Sequence, residues 1–272
     1  MAGAGLLTAD AFVLEPNHPI LDRVPLTLPR LPERFDGLTI AHLSDFHYDT
    51  CFSVHPIAAA VRMVNELQPD IVVLTGDFVT MPVLRHKHMD RDAARASQPC
   101  AEILRGLRSR LGVYAVLGNH DEAADPDLIS DGLTAAGIQV LRNQAVPLER
   151  DGSRIWIAGV GDVLLLQALP EKALLGIPRD EFVLMLAHEP DFADYLAKLP
   201  VDLQLSGHSH GGQIRIPLLG APWLPDLGRK YPYGWYRIGK LQLYTNRGIG
   251  TIRMPARWNC PPEVTLFTLR RG

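Results

Sequence analysis

Cysteine is scarce. Only Cys51, Cys100 and Cys260 occur, widely spaced and without a CxxC pair. An odd, dispersed set excludes a disulfide framework and a thiolate metal site, and reads as three small buried thiols. Long apolar runs are missing too: no stretch reaches the roughly 18 residues that a membrane-crossing helix needs. The opening segment, MAGAGLLTADAFVLEP, lacks a basic n-region and is no signal peptide as it stands; it is readable as the stub of a longer anchor. No run of five or more like charges appears, and the formal net charge is −3. The basic patch of a nucleic-acid binder is therefore absent from the sequence. Internal repeats and low-complexity segments are absent as well.

What remains is ordinary globular material. The 272 residues suit one large domain or two small ones, and 47% apolar residues can bury a full core. The unusual abundance is histidine, with ten residues, a first hint of metal chemistry. Residues 1–36 read as an extended, Pro-rich lead-in and residues 37–272 as the folded domain.

From Leu38 onward, short apolar runs alternate with helical spacing. Leu38–Leu43, Asp70–Thr75 and Val113–Leu117 read as strands, as do Ile155–Val160, Phe182–Ala187 and Val201–Leu205. Between them, Pro56–Leu67 (with Ile57, Val61, Val64 and Leu67 on one face), Ala101–Leu111, Asp127–Ala136 (capped by Asp125 or Asp127) and Asp191–Leu199 read as helices. The last third, through Gln213–Pro217, Tyr236–Gly239, Gln242–Thr245 and Val264–Leu269, reads as strands without helices. The expected class is α/β, with a largely parallel central sheet and helices on both faces. Ligands of such sheets bind at the carboxyl ends of the strands.

The chemistry-bearing residues sit at those ends. Asp45, Asp77, Asn119, His188 and His208 each follow an apolar run, and His47 and His210 lie two residues beyond Asp45 and His208. Carboxylate, imidazole and amide oxygen suit Mn, Fe or Zn rather than Cu(I). Seven ligands are too many for one tetrahedral zinc but fit two ions sharing a carboxylate, which together generate hydroxide and clamp an in-line displacement. Each residue alone has a plainer reading: an Asp after a strand is usually a turn residue, and a lone His is usually a surface or packed one. Their joint order is what carries the argument.

The blocks SDFH, GDF, GNHD, AHE and GHSH, in that order, resemble the calcineurin-like metallophosphoesterase superfamily, over about residues 36–270. The resemblance implies a four-layer α/β/β/α sandwich and two divalent or trivalent transition-metal ions, Mn, Fe or Zn. It implies one ion held by Asp45, His47 and His210, the other by Asn119, His188 and His208, and Asp77 between them. A bridging hydroxide would attack phosphorus. His120 would stabilise the transition state or protonate the leaving oxygen, and Asp121 would orient His120 through a hydrogen bond.

The segments GGQIRIP, KYPYGWY, LYTNRGIGT and RWNCPPEVTLFTL resemble a bacterial, membrane-associated branch of that superfamily. Some of its members are linked to cleavage of UDP-2,3-diacylglucosamine. This implies a phosphodiesterase or pyrophosphatase on a phosphoester substrate, lipid-linked in the sharpest reading, with peripheral membrane contact and no nucleic-acid partner. It would be located in the cytoplasm or against the inner membrane. Val163–Leu166, Leu169, Leu218, Leu219, Trp223 and Leu224 are readable as packed core or as a lipid-facing lip. Arg247 is the expected phosphate contact; His86 and His88, after GDF, are readable as a solvated or a substrate-facing loop. His42 is expected to be packed beside the site. A phosphomonoesterase or cyclic-nucleotide phosphodiesterase is the alternative activity. A non-catalytic scaffold is disfavoured because every ligand block is kept.

Overall fold

The structure is a computed structural model describing residues 10–81 and 89–272, with the side chains of residues 89–91 outside the description. His86 and His88 therefore lie outside the described residues. Among the described residues, twelve strands form two six-stranded mixed sheets, the two inner layers of the sandwich that the resemblance implies. The first contains β1 (Ile20–Leu28), β2 (Thr39–Leu43), β3 (Ile71–Thr75), β4 (Val113–Val116), β5 (Gln139–Val140) and β12 (Glu263–Arg271), in the order β1-β12-β2-β3-β4-β5. The second contains β6 (Gln144–Arg150), β7 (Ser153–Gly159), β8 (Phe182–Leu186), β9 (Leu203–Ser206), β10 (Gly234–Ile238) and β11 (Leu241–Thr245), in the order β10-β11-β9-β8-β7-β6. The centre of each sheet is parallel: β2 to β3 to β4 in one, β7 to β8 to β9 in the other.

Helices α1 (Val54–Leu67), α2 (Met89–Arg95), α3 (Ser97–Leu104), α4 (Asn119–Ala124) and α5 (Pro126–Ala135) precede β5, and α6 (Pro170–Ala173) and α7 (Ala193–Leu196) interrupt the second sheet's strands. Strand periodicity sorts the core into layers. Ile40 and Val73 face Ile157, Leu184 and Leu205 of the other sheet. Their neighbours Ala41, Val72 and Leu74 face Ile57, Val64, Leu104 and Leu133 of α1, α3 and α5. Val183, Met185 and Leu243 pack under Ala173 and Leu196. The result is the four-layer helix–sheet–sheet–helix sandwich. Burial on both faces is why β3 reads IVVLT without polar alternation. Each such side chain contributes roughly 1.5–3 kcal/mol by burial.

The differences from the sequence reading have local causes. Helix α3 begins at Ser97 and ends at Leu104. Gln213–Pro217 is not a strand: only single bridges, Ile214 to Trp258 and Ile216 to Gly220, form there. Pro217 offers no N–H, and the chain reverses at Leu218 with φ 68°. Strand β6 was missed because its inner face is half-exposed, although Asp151 (φ 49°) and Gly152 (φ 77°) make the Asp-Gly turn that signals a hairpin. Cys51 is exposed, unlike buried Cys100 and Cys260. Among the described residues no helix is long and apolar enough to cross a membrane.

Candidate metal centre

Five parallel strands deliver the candidate ligands. Asp45, Asp77 and Asn119 follow β2, β3 and β4; His188 and His208 follow β8 and β9. Both sheets thus converge on one point at their carboxyl ends. The loops are fastened to each other: Asp45 N–H donates to Gly76 O (3.0 Å), His47 N–H to Asp77 O (2.9 Å) and Gly207 N–H to His188 O (3.0 Å). His208 N–H donates to the Asp45 carboxylate (3.0 Å), and His120 N–H to Asp77 Oδ1 (3.0 Å). Such close approach explains the motif glycines. A Cβ on Gly118 would lie 2.3 Å from Asp77 Oδ1, and one on Gly207 would lie 1.8 Å from Ser44 Oγ.

Backbone strain concentrates here. Asp45 (φ 52°), His47 (41°), Asp77 (56°), His208 (69°) and His210 (52°) are all left-handed non-glycine residues. Each costs on the order of 1–3 kcal/mol and persists only where the surroundings impose it.

The side chains form three overlapping groups, of which that of His47, Asp77 and His120 links the other two. In one, Asp45, His47 and His210 bring their ligand atoms together; in the other, Asp77, His188 and His208 do. His47 Nε2 lies 3.0 Å from His210 Nε2 and 3.4 Å from Asp77 Oδ2, and His188 Nε2 lies 3.2 Å from the same oxygen. His210 Nε2 is 3.3 Å from Asp45 Oδ1. Asn119 Oδ1, His188 Nε2 and His210 Nδ1 are buried without a hydrogen-bond partner. Converging lone pairs, orphaned buried acceptors and imposed strain are what a cation site requires, so the donor set fits transition-metal ions.

The electrostatics agree. Burial opposes the charge on Asp77, but His188, by its charge and its contact with the carboxylate, outweighs it and holds that carboxyl well below the usual range. Burial pushes His47 well below, and His208 down to about 4, so both imidazoles are neutral and ligand-competent. His188 moves the other way: burial is overcome by contact with Asp77, a proton that a cation on Asp77 would displace. Outer partners orient the rings. Thr80 Oγ1 meets His47 Nδ1 (3.0 Å), Thr75 O meets His188 Nδ1 (2.5 Å) and Asp226 O meets His208 Nε2 (2.8 Å).

Two expectations are corrected. Asp121 makes no hydrogen bond to His120 among the described residues. Its carboxylate accepts instead from the N–H groups of Phe78 (2.9 Å), Val79 (3.1 Å) and Gly118 (3.0 Å), tying the GDF loop to the GNHD loop. Successive residues on helix α4 point in different directions, so adjacency in sequence separates the two side chains. His120 is held by Met81, whose N–H donates to its Nδ1 at 2.8 Å. Arg247 is not free to meet a substrate phosphate. Its guanidinium is engaged by Glu263 (2.6 Å) and Asp22 (2.5 Å), bracing β12 against β1. His42 is packed beside the site, with Nε2 2.8 Å from Thr75 Oγ1.

A cleft of about 980 Å³ opens over the cluster, with Asp77, Asn119, His120, His208 and His210 in its wall. The same wall contains Leu164, Leu165, Trp223, Met254 and Arg253. Leu165 is 42% exposed and neighbouring Leu166 88%; they are not core. Arg253, Thr80 and Met81 were missed by sequence reasoning, and no motif marks them.

The family model for calcineurin-like phosphoesterases matches residues 38–212. The chain belongs to the calcineurin-like phosphoesterase family. It is a hydrolase acting on phosphoester bonds, and the family works with divalent metal ions, for which the clusters above are the candidate seats. Among its relatives, an uncharacterised metallophosphoesterase of Bacillus subtilis, YkuE, is 35% identical over 98% of this chain and 93% of its own length. The phosphodiesterase YaeI of Escherichia coli is 34% identical over 85% of this chain and 81% of its own. The UDP-2,3-diacylglucosamine pyrophosphatase LpxG of Chlamydia muridarum is 28% identical over 93% and 90%.

Proposed function

We propose that this phosphoesterase is a two-metal phosphodiesterase or pyrophosphatase whose substrate carries an apolar group, with a lipid-linked nucleotide such as UDP-2,3-diacylglucosamine as the specific candidate. The observation that carries the reading is the shared wall: exposed leucines 164 and 165 border the same cleft as the His–Asp cluster. Exposed apolar side chains beside a polar centre mark a site for an amphiphile. The likeness to YaeI and LpxG supports the same class.

Asp45, His47 and His210 would hold one ion, and Asn119, His188 and His208 the other, with Asp77 shared. When bound, the ions supply a hydroxide nucleophile at neutral pH and neutralise the phosphoryl oxygens. The protein's own contribution is orientation. The Thr80, Thr75 and Asp226 contacts fix three imidazoles, and Asp121 locks the loops that carry Asp77 and Asn119. His120 accepts the Met81 N–H on Nδ1, so its single proton is on Nε2. With Nδ1 occupied, Nε2 is the atom through which His120 would donate a hydrogen bond to charge developing in the transition state.

The test is hydrolysis of bis-p-nitrophenyl phosphate, p-nitrophenyl phosphate and UDP-2,3-diacylglucosamine by metal-loaded protein, beside Asp77→Ala. Preferred cleavage of the lipid nucleotide supports the full reading. Cleavage of the simple diester alone keeps the diesterase and removes the lipid substrate; preference for the monoester makes it a phosphomonoesterase. Wild-type rates in Asp77→Ala, which should lose activity by several orders of magnitude, would refute the mechanism.

A further inference from the structure

Arg253 stands out among the residues of the cleft wall. Its guanidinium lies over the Trp223 ring, 4.3 Å from the centroid. No carboxylate among the described residues comes within salt-bridge distance of it, in contrast to Arg247, Arg229 and Arg142. Among the described residues its guanidinium has no hydrogen-bond or ion-pair partner, and Arg253 lines the cleft that holds the candidate ligands.

The position is built rather than accidental. Arg253 has φ 63°, a conformation that a β-carbon disfavours. The kink is clamped by one side chain: Gln213 Oε1 accepts from Ile252 N–H (2.8 Å), and Gln213 Nε2 donates to Met254 O (2.8 Å) and Ile252 O (3.3 Å). Gln213 follows directly on the loop carrying His208 and His210. The loop of candidate ligands and the arginine are thereby fixed relative to each other through one amide. Stacking on Trp223 leaves the in-plane fork available, the geometry with which guanidinium grips two phosphate oxygens.

We propose that Arg253, propped on Trp223, is a specificity residue that grips a second anionic phosphoryl group of the substrate, beside the one hydrolysed. The inference rests on the phosphodiesterase reading and deepens it: the preferred substrate class is a diphosphate bearing an apolar group, which lies along Leu164, Leu165 and Met254 of the same wall.

Two synthetic substrates test this, a dodecyl ester of UDP and a dodecyl ester of UMP, which differ by one phosphoryl group. Metal-loaded wild type should prefer the diphosphate through KM. Arg253→Gln should reduce that preference, measured as the ratio of kcat/KM values, by about 10- to 100-fold, the range for one charge-assisted contact. Arg253→Lys should keep part of it, having charge without the fork, and Trp223→Leu should weaken it by loosening the prop. Binding of a methylene-bridged, non-hydrolysable analogue of the diphosphate ester should weaken by the same factor in Arg253→Gln, with metal content unchanged. A ratio that stays at the wild-type value in Arg253→Gln, or a wild type without diphosphate preference, overturns the proposal while leaving a phosphodiesterase. Cleavage of neither ester by wild type overturns the phosphodiesterase reading, and this inference falls with it.

Discussion

Replacing Gly118 by alanine isolates the effect of one methyl group on the centre. Gly118 joins β4 to α4 and has φ −100°, which alanine adopts freely. Any effect is therefore steric. The new Cβ would lie 2.3 Å from Asp77 Oδ1, 2.7 Å from Asp77 N and 2.8 Å from His188 Cε1. Reaching an ordinary 3.4 Å contact requires the Asp77 oxygen to move by 3.4 − 2.3 = 1.1 Å. Asp77 cannot swing away cheaply: it is 2% exposed and holds the His120 N–H. Overpacking of this kind costs about 1–3 kcal/mol. At about 2–4 °C per kcal/mol, Tm should fall by about 2–12 °C. A shift of about 1 Å at a shared ligand should also lower kcat by about 100-fold and reduce bound metal below that of wild type. The control is Gly132→Ala in α5, where the nearest atom to the new Cβ is Ser97 Oγ at 3.9 Å; a helix interior should gain about 0.5–1 kcal/mol. Measurements are thermal unfolding, metal content by mass spectrometry and diester hydrolysis. Full metal content and wild-type kcat in Gly118→Ala would refute the packing argument.

Arg247→Met should destabilise the fold by about 3–5 kcal/mol in urea unfolding, because it leaves Glu263, 1% exposed, without its cation. If Arg247 served the substrate instead, stability would hold and KM would rise. His42 gives a pH test. Burial lowers its pKa to about 3, below the value of about 6.5 in the unfolded chain. The unfolded state then binds the proton first as pH falls, so stability is full above pH 6.5 and is lost on acidification toward pH 3. This one residue should contribute a loss of about 2.3 kcal/mol between pH 6.5 and 4.5. His42→Gln should flatten that part of the curve; parallel wild-type and variant profiles of Tm against pH would show the assignment to be wrong.

Much of the site was legible because its grammar is local. An apolar run ending in Gly-Asp, Gly-Asn or Gly-His places a ligand just past a strand, and the close approaches at Gly118 and Gly207 show why glycine precedes it. The errors share one cause. Asp121 was assigned to His120 because the two are adjacent in the chain, yet the carboxylate turns to Phe78, Val79 and Gly118. Arg247 was assigned to phosphate because it lies near a family-like motif, yet Asp22, 225 residues away, takes its guanidinium. Strand β6 escaped because none of its residues is fully buried, so no apolar run marks it.

By itself, then, the sequence determined the layered α/β class, the family and the seven candidate ligands, since strand period, glycine turns and donor chemistry are written in consecutive residues. Tertiary structure alone decided which sheet delivers each ligand, that Met81 fixes the His120 tautomer, that Arg247 is engaged by Asp22 and Glu263 and that Arg253 stands open on Trp223. The physical reason is that a side chain's type is covalent information, whereas its partner is set by whichever distant group the packed core brings within about 3 Å of it.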